Sequence, residues 1–196
     1  MFDYSEKEQE IINGFDAWSE GVEPGGLRNK DEIKMLICYL LKTIDQPISM
    51  EQIGNIMQDQ GIANYFEAMD AVSYLISNGS ISSEFVEEKQ ILSATEIGKS
   101  AVEVVENDLP KTVKEKAVKS AIKFITIERN ERENDVKITQ VSDGYKVSFS
   151  MNDGDTNLME LAMFVPDSSQ AQKLKDNFIE DPARVYSTIL ASLMVD

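Results

Sequence analysis

Between Asp31 and Ile44 the apolar residues Ile33, Leu36, Ile37, Leu40, Leu41 and Ile44 recur at intervals of three and four, the period of one face of an α-helix. A helix with so broad an apolar face draws most of its stability from whatever covers it, so the following segments must supply that cover. Asp45-Gln46-Pro47 ends the helix, because a residue before proline is pushed out of helical backbone. Ser49 followed by Gln52 is a capping-box signature, and it predicts a second, short helix that carries Ile53, Ile56 and Met57 inward and ends near Gly61. A third helix starts after Asn64, a residue suited to an N-cap. Tyr65, Met69, Val72 and Ile76 form its apolar stripe, flanked by Ala68 and Leu75, while Phe66, Glu67, Asp70, Ser73 and Tyr74 point away. Ser77-Asn78-Gly79 closes it, the glycine serving as a left-handed cap.

A strand beginning at Ile81, a loop tip around Lys89 and a returning strand, Ile91-Leu92-Ser93-Ala94-Thr95, then lead into a fourth helix that Thr95 caps and that runs to about Asn107. Three helices, a hairpin and a helix are the order of a winged helix-turn-helix domain. Leu109-Pro110 interrupts the pattern, and a long helix is expected from Lys111 to Asn134. Val113, Ala117, Ala121, Phe124 and Ile125 line one of its faces, and Lys116, Lys119 and Lys123 share the opposite one, which reads as a solvated face, with phosphate binding as the alternative.

Beyond residue 135 the period changes from 3.6 to 2. Asp135–Val141 and Tyr145–Met151 alternate apolar and polar residues across a Ser142-Asp143-Gly144 turn, which marks a hairpin. Asn157–Val165 adds a third antiparallel strand after the Asn152–Thr156 turn. Asp167 with Gln170 caps one further helix, and Asp181-Pro182 starts another that carries Val185, Ile189 and Leu193. The expected fold is therefore α+β. A winged helix-turn-helix domain (30–109) follows an N-terminal arm (1–29); a long helix then links to a small three-stranded meander with two C-terminal helices (110–196). In the arm, Ile11, Ile12, Phe15 and Trp18 fall roughly on one helical face before a stretch with three glycines and a proline. It reads as an arm docked by its aromatic residues, with a flexible tail as the alternative.

The chain has 35 acids against 19 bases, a formal net charge of −16, and no histidine. That balance repels nucleic acid and anionic membrane at long range. Lack of histidine removes histidine-based triads, the usual zinc protease motif and most transition-metal sites. Asp153 and Asp155 flank a glycine, but the further ligands of a calcium loop are missing, so the segment reads as a turn. No catalytic, cofactor-binding or metal-ligating residue is assigned, and a non-enzymatic protein is expected. The single cysteine, Cys38, sits in an apolar run and reads as packing. The N-terminus lacks the basic-then-apolar order of a signal peptide, and no apolar run reaches the length of a membrane span. A cytoplasmic protein with no membrane partner is the expectation.

The segments Ala63–Ile81, Leu92–Glu103, Asp108–Ala121, Asp143–Asp167 and Asp181–Leu190 resemble, in that order, an uncharacterised bacterial family of unknown function with an N-terminal winged helix. Its members are usually labelled transcriptional regulators. The resemblance covers the chain from about Gly25. The passage Ile91–Ser100, with its Thr95-Glu96-Ile97-Gly98, is also similar to the second wing strand and following helix in regulators of the multidrug-resistance and phenolic-acid repressor types. Likeness of this kind is an associational argument for function.

What the resemblance implies is a DNA-binding regulator. Asn64, Phe66, Glu67, Asp70, Ser73 and Tyr74 would then face the major groove, and the wing tip around Lys89 would touch the minor groove or backbone. Charge opposes this: from Thr43 to Glu88 there is no lysine or arginine against eight acids, whereas phosphate contacts carry non-specific DNA affinity. Arg28, Lys30 and Lys34 folding alongside, or bases from a second protomer, would ease the conflict. The alternative is a winged helix that docks a protein through the same residues, with Phe66 and Tyr74 as apolar anchors for a basic or amphipathic partner. A homodimer is expected, with the long helix and the α+β domain as its dimerisation device.

Overall fold

The computed structural model describes residues 26–27, 29–105 and 107–194. The expected arm residues Ile11, Ile12, Phe15 and Trp18 lie outside these. The fold is mixed α+β and contains, among the described residues, two antiparallel three-stranded sheets. The chain divides into two compact units, one ending at Phe124 and the other beginning at Ile125. The sequence reading sets a boundary at residue 110, ahead of the long helix; this division falls inside it.

In the first unit, helix α1 (Lys30–Ile44) is capped by Asn29, whose side chain accepts the Asp31 N–H at 2.9 Å. It ends at Asp45, which adopts left-handed backbone (φ 50°) and donates its N–H to the Leu41 carbonyl. The stop thus comes from an aspartate that tolerates this conformation, two residues before Pro47. Ile33, Leu36, Ile37, Leu40 and Leu41 are all buried, as their spacing requires, and α1 packs against three other elements introduced below. Leu27 is buried as well, and its N–H donates to the Ile62 carbonyl at 2.7 Å, so the chain entering α1 is docked.

Strand β1 (Ile48–Ser49) leads directly into helix α2 (Met50–Asp59), whose capping box is complete: the Gln52 N–H donates to Ser49 Oγ at 3.1 Å and the Ser49 N–H to Gln52 Oε1 at 2.7 Å. Helix α3 (Tyr65–Ser77) follows, closed by Gly79 at φ 77°. Its buried line is Ala68, Ala71, Val72 and Leu75. Tyr65, Met69 and Ile76, expected at the centre of the stripe, are only half-buried. The two alanines let α3 approach its neighbours closely, which turns the helix toward its small residues and away from its large ones.

Strands β2 (Ile81–Val86) and β3 (Lys89–Ala94) pair in register from Ile81 with Ala94 to Val86 with Lys89. The sheet gains a third member, because β1 pairs with β3 through Ile48 with Leu92 and Ser49 with Ile91, giving the order β1-β3-β2. Helix α4 (Glu96–Val105) completes this part, and α3, α4 and β3 are the elements against which α1 packs. The entry to α4 explains the Thr95–Gly98 signature. Thr95 donates its hydroxyl toward the carbonyls of Gly79 (2.7 Å) and Ser80 (3.0 Å), and the same oxygen accepts the Gly98 N–H at 3.3 Å. A Cβ at Gly98 would run into the Ser80 carbonyl oxygen, so this position joins helix to strand only without a side chain.

The long helix α5 (Lys111–Glu133) crosses the division. Its first part buries Val113, Ala117, Ser120 and Ala121 in the first unit, where the Ser120 hydroxyl donates to Asp59 at 3.2 Å, and Lys116, Lys119 and Lys123 are exposed.

In the second unit, strands β4 (Asp135–Val141), β5 (Gly144–Asp153) and β6 (Thr156–Val165) form a meander in the order β4-β5-β6. Helices α6 (Ser168–Glu180) and α7 (Pro182–Leu193) follow, with Asp167 and Asp181 as N-caps. Val147, Phe149, Val165, Ala171, Phe178 and Ile179 make the core between the sheet and α6. Buried Asn130 donates to the Ile179 carbonyl at 2.8 Å, and buried Asn134 donates to the Asn130 carbonyl at 2.9 Å. The first of these bonds ties the end of α5 to α6.

Replacing Gly98 by alanine should destabilise the protein by about 1–3 kcal/mol, the cost of an overpacked contact, despite alanine's higher helix propensity. Urea denaturation measures this, and a neutral or stabilising effect would refute the tight helix-to-strand contact.

Candidate functional site

The residues singled out in the sequence fall on the outer side of α3 and on the hairpin β2–β3, and α3 packs next to β2. They do not all have the expected role. The side-chain oxygen of Asn64 accepts the Phe66 N–H at 2.8 Å, so it works as the helix cap. Glu67 was expected to point away from the protein, but its side chain is largely covered and sits 3.7 Å from the Lys30 ammonium. The rotation of α3 toward Ala68 and Ala71 brings this position round to the start of α1. Ser73 is exposed, with its hydroxyl turned back onto the Met69 carbonyl at 2.9 Å.

Phe66, Asp70 and Tyr74 remain as the outward face. Phe66 is 76% exposed, and its ring meets Tyr65 edge-on at 5.9 Å. Tyr74 is 52% exposed, with the Lys34 ammonium 4.2 Å from its ring centroid, a cation–π contact. Lys34 also bridges to Asp31 at 3.0 Å. Two bases of α1 therefore do lie beside α3, each with an acid close by.

Lys89 is exposed at the start of β3, but the tip of the hairpin is Glu87-Glu88. Both glutamates have left-handed backbone, φ 47° and 67°, the conformation of a two-residue hairpin turn that ordinarily selects asparagine and glycine. For residues with a Cβ this costs roughly 1 kcal/mol or more each, yet it projects two carboxylates from the tip. Just before the turn, Phe85 is 76% exposed and Val86 is also exposed. Sequence reasoning passed over both. The available signal was an apolar pair beside a polar turn, at the end of a strand whose preceding positions are serine and glutamate.

From Asn64 to Gln90 the chain carries five acids and one base. With Phe66, Tyr74, Phe85 and Val86 exposed among them, the chemistry on offer is apolar contact surrounded by negative charge. Among the described residues no buried polar side-chain atom lacks a hydrogen-bond partner, and no group of three or more acids and cysteines is placed to hold a metal ion. The Asn152–Thr156 segment lies at the β5–β6 hairpin, whose turn residues are Gly154, at φ 56°, and Asp155. A concave region of about 570 Å³ in the second unit is lined by Asn130, Asn134, Asn152, Asp153 and Glu180 among others. Its asparagines are spent on internal bonds: Asn130 donates to the Ile179 carbonyl of α6, the Asn152 N–H donates to Asn134 Oδ1, and the Asn152 side chain donates to the Glu133 carbonyl at 3.2 Å. Among the described residues no helix is long and apolar enough to cross a membrane.

Cys38 is buried on α1, and loss of hydration pushes its thiol pKa up to about 11. The folded protein thus holds this proton more tightly than the unfolded chain. The associated stability is complete below the unfolded thiol's pKa and is lost as pH rises toward about 11. A thiol reagent at about pH 8 should modify Cys38 only after unfolding, since reaction requires exposed thiolate. Fast labelling of the native protein would contradict this.

A family model described as a domain of unknown function, DUF4364, matches residues 33–193. The matched span reaches from α1 to the end of α7, and the chain belongs to that family. No curated protein and no solved structure matches it.

Proposed function

We propose that this member of the DUF4364 family is a winged-helix regulator whose third helix and wing dock a protein partner rather than the phosphate backbone of DNA. The order α1-β1-α2-α3-β2-β3-α4, with a three-stranded sheet ordered β1-β3-β2, supports the winged-helix assignment: α3 takes the place of the recognition helix and β2–β3 that of the wing. The single observation that carries the protein-docking reading is the composition of the outward surface. Phe66 and Tyr74 stand exposed beside Asp70 on α3, and Phe85 and Val86 stand exposed beside Glu87 and Glu88 on the wing.

Exposed aromatic side chains supply most of the binding energy in protein interfaces when a partner dries them. The acids around them select a basic or amphipathic partner and repel a polyanion. No enzymatic step is proposed. A cytoplasmic, self-associating protein fits this role.

DNA recognition is the second reading, and a specific observation favours it: Lys30 and Lys34 lie against α3, and Lys89 sits at the base of the wing turn. Against it, Glu67 and Asp31 stand within 3.7 Å and 3.0 Å of the first two ammonium groups. Each such pairing reduces the charge left for phosphate.

Fluorescence anisotropy with duplex DNA from the protein's own upstream region, across a salt series, separates the two readings. Binding should be weaker than about 10⁻⁴ M even at about 50 mM salt, where counterion release favours it most. Submicromolar affinity with a steep loss on adding salt would overturn the protein-docking reading in favour of DNA recognition.

A further inference from the structure

Strand β6 forms an edge of the second unit's sheet, and among the described residues nothing pairs with its outer side. It is ten residues long, Thr156 to Val165, with a bulge at Leu158, and carries one charge, Glu160. Leu158, Met163 and Phe164 are exposed along it. A long, apolar edge without proline or lysine is what soluble proteins ordinarily avoid, because its free N–H and C=O groups are a template for another strand.

The side chains say which strand fits. Read from Leu161 outward, β6 is nearly its own reverse: Glu160 and Ala162 flank the centre, then Met159 and Met163, then Leu158 and Phe164. We propose that β6 pairs antiparallel with β6 of a second copy about a two-fold axis through Leu161, joining two three-stranded sheets into one of six strands.

In this register each methionine lies opposite a methionine and Leu161 opposite Leu161, on one face of the joined sheet; Leu158 stands at a bulge, so the regular seam runs from Met159 to Met163. Every Glu160 lies opposite a small, uncharged Ala162. The neighbouring same-face registers are worse. Centring on Glu160 sets two carboxylates face to face, which destabilises a cross-strand pair. Centring on Ala162 brings Pro166 opposite Leu158, and proline has no N–H for the ladder. Charge and backbone chemistry therefore select one register, and its occupant is another copy of the same strand. A self-complementary patch of this kind generates a closed dimer rather than a filament. The long, largely apolar edge is thereby covered.

Phe164 is 58% exposed, and its ring lies over Gly144 of β5, within 2.9 Å of where a Cβ there would stand. The ring is thus held on the open face of the sheet beside the proposed seam.

The test uses the full chain and two exposed-site variants, Ala162→Glu and Ala162→Lys, with light scattering or sedimentation for association and thermal denaturation for folding. Native protein should be dimeric at about 10 µM, as expected for a specific interface. Ala162→Glu places a carboxylate opposite Glu160 twice per dimer and should raise the dissociation constant about tenfold or more. Ala162→Lys places an ammonium there instead and should preserve or tighten the dimer, which also controls for any change in folding at this position. A native monomer would overturn the proposal, as would a dimer indifferent to Ala162→Glu or one that Ala162→Lys dissociates equally.

Discussion

The first unit is organised by the need to keep one broad face of α1 dry. Ile33, Leu36, Ile37, Leu40 and Leu41 each have almost no contact with water, and each contributes about 1.5–3 kcal/mol when fully buried. Together they represent as much free energy as the whole net stability of a typical domain, about 5–15 kcal/mol. One helix cannot hide that face alone. It is covered by α3, by α4 and by β3, and their placement leaves the outer side of α3 and the hairpin free to meet a partner. The surface available for function is thus what remains after the core demand is satisfied.

Much of this was legible in the sequence. The spacing in α1, the capping box at Ser49 and Gln52, the caps at Asn64, Asp167 and Asp181, and the alternating strands after residue 135 all report local physics that tertiary structure did not override. Three features were not legible. Strand β1 is two residues long, too short to carry a period, and exists because Ile48 and Ser49 find partners on β3. The rotation of α3 depends on Ala68 and Ala71, which a hydrophobic stripe undervalues because alanine is small, although smallness is what permits close approach. That rotation moves Glu67 out of the candidate surface and against Lys30. The acidic turn Glu87-Glu88 lacks the asparagine-glycine signature of its conformation, so the tip could not be placed without coordinates.

The candidate surface was correspondingly half legible. Phe66, Asp70 and Tyr74 were identified by their position on the wheel and are exposed. Asn64 and Ser73 direct their polar atoms to nearby backbone. Phe85 and Val86 were missed because exposed apolar residues at a strand end look, in sequence, like core. The environment of the neighbouring bases is set by tertiary packing and has no signature in the sequence. Lys30 and Lys34 fold beside α3, as a DNA reader would need, but each stands next to an acid. The proposed winged-helix assignment and the charge therefore point in different directions about nucleic acid, and the acids on α3 and the hairpin tip are the reason.

Reversing that charge is the most direct measurement. Asp70→Arg, Glu87→Lys and Glu88→Lys together alter three exposed positions on α3 and the β2–β3 hairpin without touching the core. If the unit is a winged helix held off DNA by its carboxylates alone, the triple variant binds duplex DNA in the non-specific range of about 10⁻⁴–10⁻⁶ M, and the logarithm of its affinity falls linearly with the logarithm of salt. A correctly folded triple variant that still ignores DNA, or a native chain that binds it equally well, would contradict this explanation.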